Sequence, residues 1–149
     1  MNYATTLEFI GAFENRETVE LTNMENPSAT TVNTDRLIQA IGDASAEIDT
    51  YLWRYKLPLV SSSDPLAAAV VNWLRPCALD IARYRLYQNS VSEDIRNKYL
   101  DWIKRLEMCS KGTLKLPDVA LVTDVAIVGN QSIRINRGER TYREAFRGF

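Results

Sequence analysis

The chain has 149 residues, 46% of them hydrophobic and 25% charged, with a formal net charge of −1, two cysteines and no histidine. That is the composition of one globular domain, and it excludes a disordered, collagen-like or disulfide-built protein. The missing histidine removes the usual general base near neutral pH, the Ser-His and Cys-His nucleophile pairs and the commonest zinc ligand, so no enzyme is expected.

The charge is unevenly spread. Residues 1–129 hold 13 Lys/Arg against 17 Asp/Glu, whereas residues 130–149 hold five Arg against two Glu. An acidic body therefore precedes a basic tail. The opening MNYATTLEF lacks the basic start and apolar run of a signal peptide. The longest apolar stretches, Leu66–Leu74 and Val119–Val128, fall well short of the roughly 20 residues that span a bilayer. A protein made in a cytoplasm, with no membrane partner, is expected. Cys77 and Cys109 stand alone within helical patterns and read as small buried hydrophobes, so neither a metal nor any other cofactor is expected.

In chain order, TTLEFIGAFE (5–14) predicts a short helix with Leu7, Ile10 and Phe13 on one side, and ETVEL (17–21) adds a further turn. Residues 22–33, with Asn26-Pro27-Ser28, read as a polar loop. Asn33 or Thr34 then caps a long helix whose stripe is Leu37, Ile41, Ala44, Ile48, Tyr51 and Tyr55. Because Pro58 disfavours the α conformation at Leu57, this helix is expected to end by about residue 56. Asp64 and Pro65 suit the start of the next helix, with a stripe of Leu66, Val70, Trp73 or Leu74, Cys77, Ile81 and Tyr84. Pro76 inside it predicts a bend near residues 72–76, or two consecutive helices. Ser90 or Ser92 caps the last helix, whose stripe runs Ile95, Tyr99, Trp102, Leu106 and Cys109, and Gly112 ends it. The fold class is mainly α: a small helical bundle over residues 1–112, with three long amphipathic helices plus a short N-terminal one.

Residues 113–149 read as an extended, partly β C-terminal arm. ALVTDVAIVG (120–129) and Ser132–Asn136 have strand character around a Gly129-Asn130 turn, giving a hairpin over about 119–136. Two strands alone are marginal in water, and their edges offer unpaired backbone groups to a neighbour. Fully extended, the arm from Thr113 to Phe149 reaches on the order of 120 Å, which suits a grip on something outside the body.

Asp43, Glu47 and Asp49 on the long helix, and Glu93, Asp94 and Asp101 on the last, fall mostly opposite the apolar stripes. They read as solvated faces rather than a cation or acid–base site, with Glu93 and Asp94 also favouring their helix N-terminus. Asp80, Arg83 and Arg85, in CALDIARYRLY, are expected to pair within the helix or across to a neighbouring subunit. The hairpin residues Val125, Ile127, Ile133 and Ile135 are candidates for the same inter-subunit role. The aromatics at helical spacing read as core or protein interface rather than a base-stacking surface. In the tail, Arg134, Arg137, Arg140, Arg143 and Arg147 recur every three or four residues among Tyr142, Phe146 and Phe149. Arg140, Tyr142, Arg143, Phe146, Arg147 and Phe149 are the candidate partner anchors, since Arg grips carboxylates two-pronged while aromatics fill pockets. The same composition leaves nucleic-acid binding and a solvated end open.

Taken together, MNYATTLEFIGAF, LIQAIGDASAEIDTYLWRYKLPL, CALDIARYRLY, SEDIRNKYLDWIKRL and the terminal RTYREAFRGF resemble the Mu-like phage family of small virion neck proteins, also described as head–tail connector or adaptor proteins. The resemblance covers about residues 2–112 and 137–149. It implies a mostly helical protomer that assembles into a homo-oligomeric, dodecameric ring beneath the portal of a tailed phage. The arm would hold the portal protein and the bundle would form the platform for a downstream neck or tail protein. Genomic DNA would pass through the ring without being read, and no catalysis is implied. A tail-terminator or stopper component of the neck is the alternative within the class, and a small nucleic-acid-binding protein using the Arg-rich tail is the alternative outside it.

Overall fold

A computed structural model describes residues 2–55, 65–87 and 91–116. Five helices make up most of them: α1 (Thr6–Ala12), α2 (Asn15–Thr22), α3 (Thr34–Tyr51), α4 (Pro65–Leu86) and α5 (Glu93–Lys111). No strand occurs among the described residues, so this part of the chain is the small helical bundle that its apolar periodicity predicts. The hairpin expected over 119–136 lies outside the described residues.

The two short N-terminal helices depart from expectation. α1 starts at a reciprocal cap: the Thr5 hydroxyl accepts from the Glu8 N–H while the Glu8 carboxylate accepts from the Thr5 N–H. Its buried residue is Phe9, set edge-on to Phe13, whereas Leu7 is 79% exposed. Five apolar residues within two turns left the inward face undetermined by spacing, and the stripe expected through Leu7 is wrong. α2 is a full helix of eight residues where only a turn was expected. Its inward residues include Thr18 and Thr22, whose hydroxyls donate to the carbonyls of Glu14 and Thr18, so burial costs no unpaired polar group. A helix that buries threonines gives little hydrophobic signal.

In α3 the Asn33 side chain accepts from the Arg36 N–H, and Leu37, Ala40, Ile41, Ala44 and Ile48 face the core. The helix stops at Tyr51, inside the bound that Pro58 sets. The Leu52 N–H is shared between the carbonyls of Ile48 and Asp49, and Tyr55 N–H turns back to the Leu52 carbonyl. Leu52 and Tyr55 are both buried, so the apolar beat runs on through a turn after the helix has ended.

α4 is one helix through Pro76, not two. Proline removes the N–H that would meet the Asn72 carbonyl, but Asn72 and Pro76 both lie on the exposed side, where water can serve that group. The opposite side packs Val70, Leu74, Cys77, Ala78, Ile81 and Ala82 into the core. α4 touches both α3 and α5, and α3 also touches α5, so the three long helices share one interior. In α5, Ile95, Leu106 and Cys109 are buried. Ser92 occupies the cap position without a side-chain capping bond. Gly112 ends the helix in the left-handed conformation, φ 76°, and the N–H groups of Gly112 and Thr113 satisfy the carbonyls of Cys109 and Met108.

Candidate functional site

The polar residues of α4 reach the other four helices. Arg75 lies 2.8 Å from Glu8 of α1, and Arg83 lies 2.6 Å from Glu17 of α2. Arg85 donates to Glu47 of α3 at 2.7 Å, and Asp80 accepts from the indole N–H of Trp102 in α5 at 2.8 Å. Asp80, Arg83 and Arg85, the sequence candidates for subunit pairing, thus each hold a partner in another helix of the same chain. Two of the carboxylates take a further donor from a tyrosine: Tyr87 also donates to Glu17 and Tyr99 to the second oxygen of Glu47, both at 2.8 Å.

Aromatic rings back these contacts. Tyr84 stacks on Tyr99 with centroids 4.1 Å apart, Trp73 meets Trp102 edge-on at 5.8 Å, and the Arg83 guanidinium lies 4.5 Å above Phe13. Glu47 and Asp49 are therefore not part of a solvated face, contrary to expectation. Asp49 accepts from the Tyr3 hydroxyl, and Ser45 accepts from the Tyr3 N–H, so the N-terminal segment is strapped to α3. Burial, with the neighbouring carboxylate second, pushes the hydroxyls of Tyr3, Tyr87 and Tyr99 above the usual tyrosine range. Burial likewise pushes up both thiols, Cys77 and Cys109, which is how buried hydrophobes behave. Cys77 and Cys109 are free and buried, as the sequence predicts.

The root of the C-terminal arm is fixed. The turn after α3 closes on the end of α5: Trp53 donates to the Ser110 hydroxyl at 3.3 Å, and Arg54 donates to the Ser110 carbonyl at 3.2 Å. The Leu116 N–H then donates to the Tyr55 hydroxyl at 3.3 Å, with Leu116 buried and Leu114 half-buried. Beside this root, Ala69, Val70 and Trp73 form an open apolar cleft of about 290 Å³ with residues 114–116. Nothing in the sequence marked this clasp, because it joins residues 56 or more positions apart. The anchors Arg140, Tyr142, Arg143, Phe146, Arg147 and Phe149, and Val125, Ile127, Ile133 and Ile135, lie outside the described residues.

The two halves of the described chain differ in charge. Residues 2–51 hold nine Asp/Glu and two Lys/Arg, whereas residues 65–116 hold five Asp/Glu and nine Lys/Arg. On α3, Ile38 is 47% exposed, and on α5, Leu100 and Met108 are 40% and 43% exposed. Among the described residues no group of three or more His, Cys, Asp or Glu could hold a metal, and no helix is long and apolar enough to cross a membrane.

These features define a small helical protein whose polar contacts bind its own helices together. Residues 3–133 match the family described as Bacteriophage Mu, Gp36, and the chain belongs to that family. It is also similar to the Mu-like prophage FluMu protein gp36 of Haemophilus influenzae, with 36% identity over 91 residues. That alignment covers 60% of this chain and 59% of the relative, so the chain spans less than two-thirds of the relative's length. The family match includes residues 119–133, outside the resemblance noted from the motifs, and stops before the Arg-aromatic ending.

Proposed function

We propose that this phage protein is a structural component of the virion neck, a head–tail adaptor that forms a homo-oligomeric, dodecameric ring on the portal. It works by binding rather than catalysis. It joins the capsid to the next neck or tail protein and leaves a channel through which genomic DNA passes without sequence reading. The ring would assemble in the host cytoplasm and reside between capsid and tail.

The observation that carries this reading is the fixed root at Leu116. A bundle closed by its own polar contacts holds that residue in place, and 33 more residues follow it, ending in RTYREAFRGF. An adaptor needs both parts: a rigid body to set spacing and a long segment to hold a partner. Arg140, Tyr142, Arg143, Phe146, Arg147 and Phe149 are assigned to the portal, with the arginines pairing to carboxylates and the rings filling pockets. Membership of a Bacteriophage Mu family supports the virion setting.

The test is the mass, by light scattering, of the full-length protein alone and mixed with portal rings of the same phage. A ring-sized species on the portal, lost on deleting residues 138–149 while the helical signal persists, is the expected result. A protein indifferent to portal at high concentration would overturn the reading. Steeply salt-dependent DNA binding that vanishes with residues 134–149 would replace it with the nucleic-acid alternative.

A further inference from the structure

We infer that the apolar cleft beside the arm root seats the arm's own first apolar run, Val119–Val122. After a turn at Pro117-Asp118, Val119 and Leu121 lie back across Leu116 and Leu114 and cover Val70 and Trp73. The inference goes beyond the adaptor reading and holds whether or not the arm meets a portal.

The walls of the cleft select the kind of occupant. Its volume of about 290 Å³ is at the lower limit of small-molecule sites, and Lys115 is the only charged residue among the described walls. No set of polar groups converges there to orient a ligand, and one lysine on apolar walls does not hold a nucleic-acid backbone. What the cleft presents is hydrocarbon: Ala69 is exposed and Trp73 only half-buried. An apolar cover removes that surface from water.

The sequence after the cleft supplies such a cover. The chain leaves the wall at Leu116 and runs straight into Pro117-Asp118, a pair suited to a turn because Pro presets φ and Asp bonds to nearby backbone. Val119-Ala120-Leu121-Val122 follow without a polar residue. A turn centred on Pro117-Asp118 sets Val119 opposite Leu116, Ala120 opposite Lys115 and Leu121 opposite Leu114, and opposite residues share a face. Leu116 is buried, Leu114 half-buried and Lys115 exposed. Val119 and Leu121 therefore take the inward face and Ala120 the outward one. Side chains make this contact rather than a hydrogen-bonded ladder, since the N–H groups of Leu114 and Leu116 already donate to the Met108 carbonyl and the Tyr55 hydroxyl.

Proximity favours the chain's own segment over a second copy. Val119 follows Leu116 after only Pro117 and Asp118, and so short a tether gives an effective concentration in the millimolar range. The family match also runs through residue 133, so this run is carried with the bundle as one unit. The part of the arm free to reach a partner then starts beyond Val122, and the cleft sets its direction of exit.

The experiment is disulfide trapping in the full-length protein. Ala69→Cys is combined in turn with Val119→Cys, Ala120→Cys, Leu121→Cys and Leu59→Cys, while the buried Cys77 and Cys109 are kept. Oxidised glutathione closes the bond in native buffer, free thiols are alkylated, and non-reducing gels with peptide mapping locate each link. The expected result is a bond within one chain to position 119 or 121, formed on the order of tenfold faster than to position 120. Equal rates at the three positions, or no bond at any of them, overturn the inference. Bonds between chains would seat a second copy in the cleft, and a faster bond from Leu59→Cys would seat residues 56–64; either result overturns it. Melting gives a second reading: Val119→Asp/Leu121→Asp should lower the melting temperature by several degrees, and Ala120→Asp should leave it unchanged. Equal melting of the two variants also overturns the seat.

Discussion

α4 and α5 are of similar length, 22 and 19 residues, but use charge in opposite ways. α4 carries four charged residues, and each reaches a different helix of the bundle. α5 carries nine, and among the described residues none of these pairs with another helix; Lys104 and Lys111 pair only with Asp101 and Glu107 of α5 itself. Position decides the difference. The middle helix has neighbours on two sides, so its polar residues lie at seams, while the last helix turns most of its circumference outward. The number of charges on a helix therefore says little about what those charges hold.

The sharpest check on the frame behind this comparison is a charge placed at the α3–α4 core. Ile48 is fully buried on α3. Ile48→Asp should destabilise by about 3–5 kcal/mol, since a carboxylate there gains no compensating partner. Urea unfolding measures it, and an unchanged midpoint would mean that α3 does not pack as described.

Alkali should act next, and through the seams rather than α5's outer face. Tyr3, Tyr87 and Tyr99 have hydroxyls raised by burial and by Asp49, Glu17 and Glu47. Their folded forms hold the proton more tightly than the unfolded chain does. The contribution is fully present below about pH 10 and is lost as the pH rises beyond it, when the unfolded chain gives up its phenolic protons first. Melting temperature should therefore fall from about pH 10 upward. A Tyr99→Phe variant should fall less steeply.

Breaking a seam by mutation should cost less than opening the core and more than any change on the outside of α5. Glu47→Ala leaves Arg85 and the Tyr99 hydroxyl without their acceptor and should cost about 1–3 kcal/mol. Asp101→Ala on α5 should stay within about 0.5 kcal/mol. Equal losses at the two positions would erase the distinction between the helices. At the end of α5, Gly112→Ala should cost about 1–2 kcal/mol, because φ is 76° there and the added carbon would sit 2.8 Å from the Arg54 guanidinium.

What could be read beforehand follows the same division. The stripes on α3, α4 and α5 were legible because five or six apolar residues recurring at helical spacing fix a face without reference to anything else. Leu7 on α1 was misread because two turns cannot fix one, and α2 escaped because its inward side is partly threonine. Pro58 set only an outer bound for α3: it marked where a helix could not continue, and the buried Leu52–Tyr55 turn ends it sooner. Glu47 was taken for a solvated residue because its partners, Arg85 and Tyr99, are 38 and 52 residues away. The cap at Thr5 and Glu8 was visible in principle, being local; its second contact, to Arg75, was not. Local chemistry is written in spacing, but seams between helices depend on which helices meet.

The smallest predicted effect is the most direct on the comparison. Arg96→Ala/Lys104→Ala removes two of the cations on the outer face of α5, and the combined change in stability should stay within about 0.5 kcal/mol. Arg96 has no ion-pair partner among the described residues, and the Lys104–Asp101 contact is exposed on both sides. Alanine also has the higher helix propensity, which offsets what little is lost. Chemical unfolding of wild type and variant at low salt measures the change. A loss above about 1 kcal/mol would mean that these side chains already hold the protomer together, as those of α4 do.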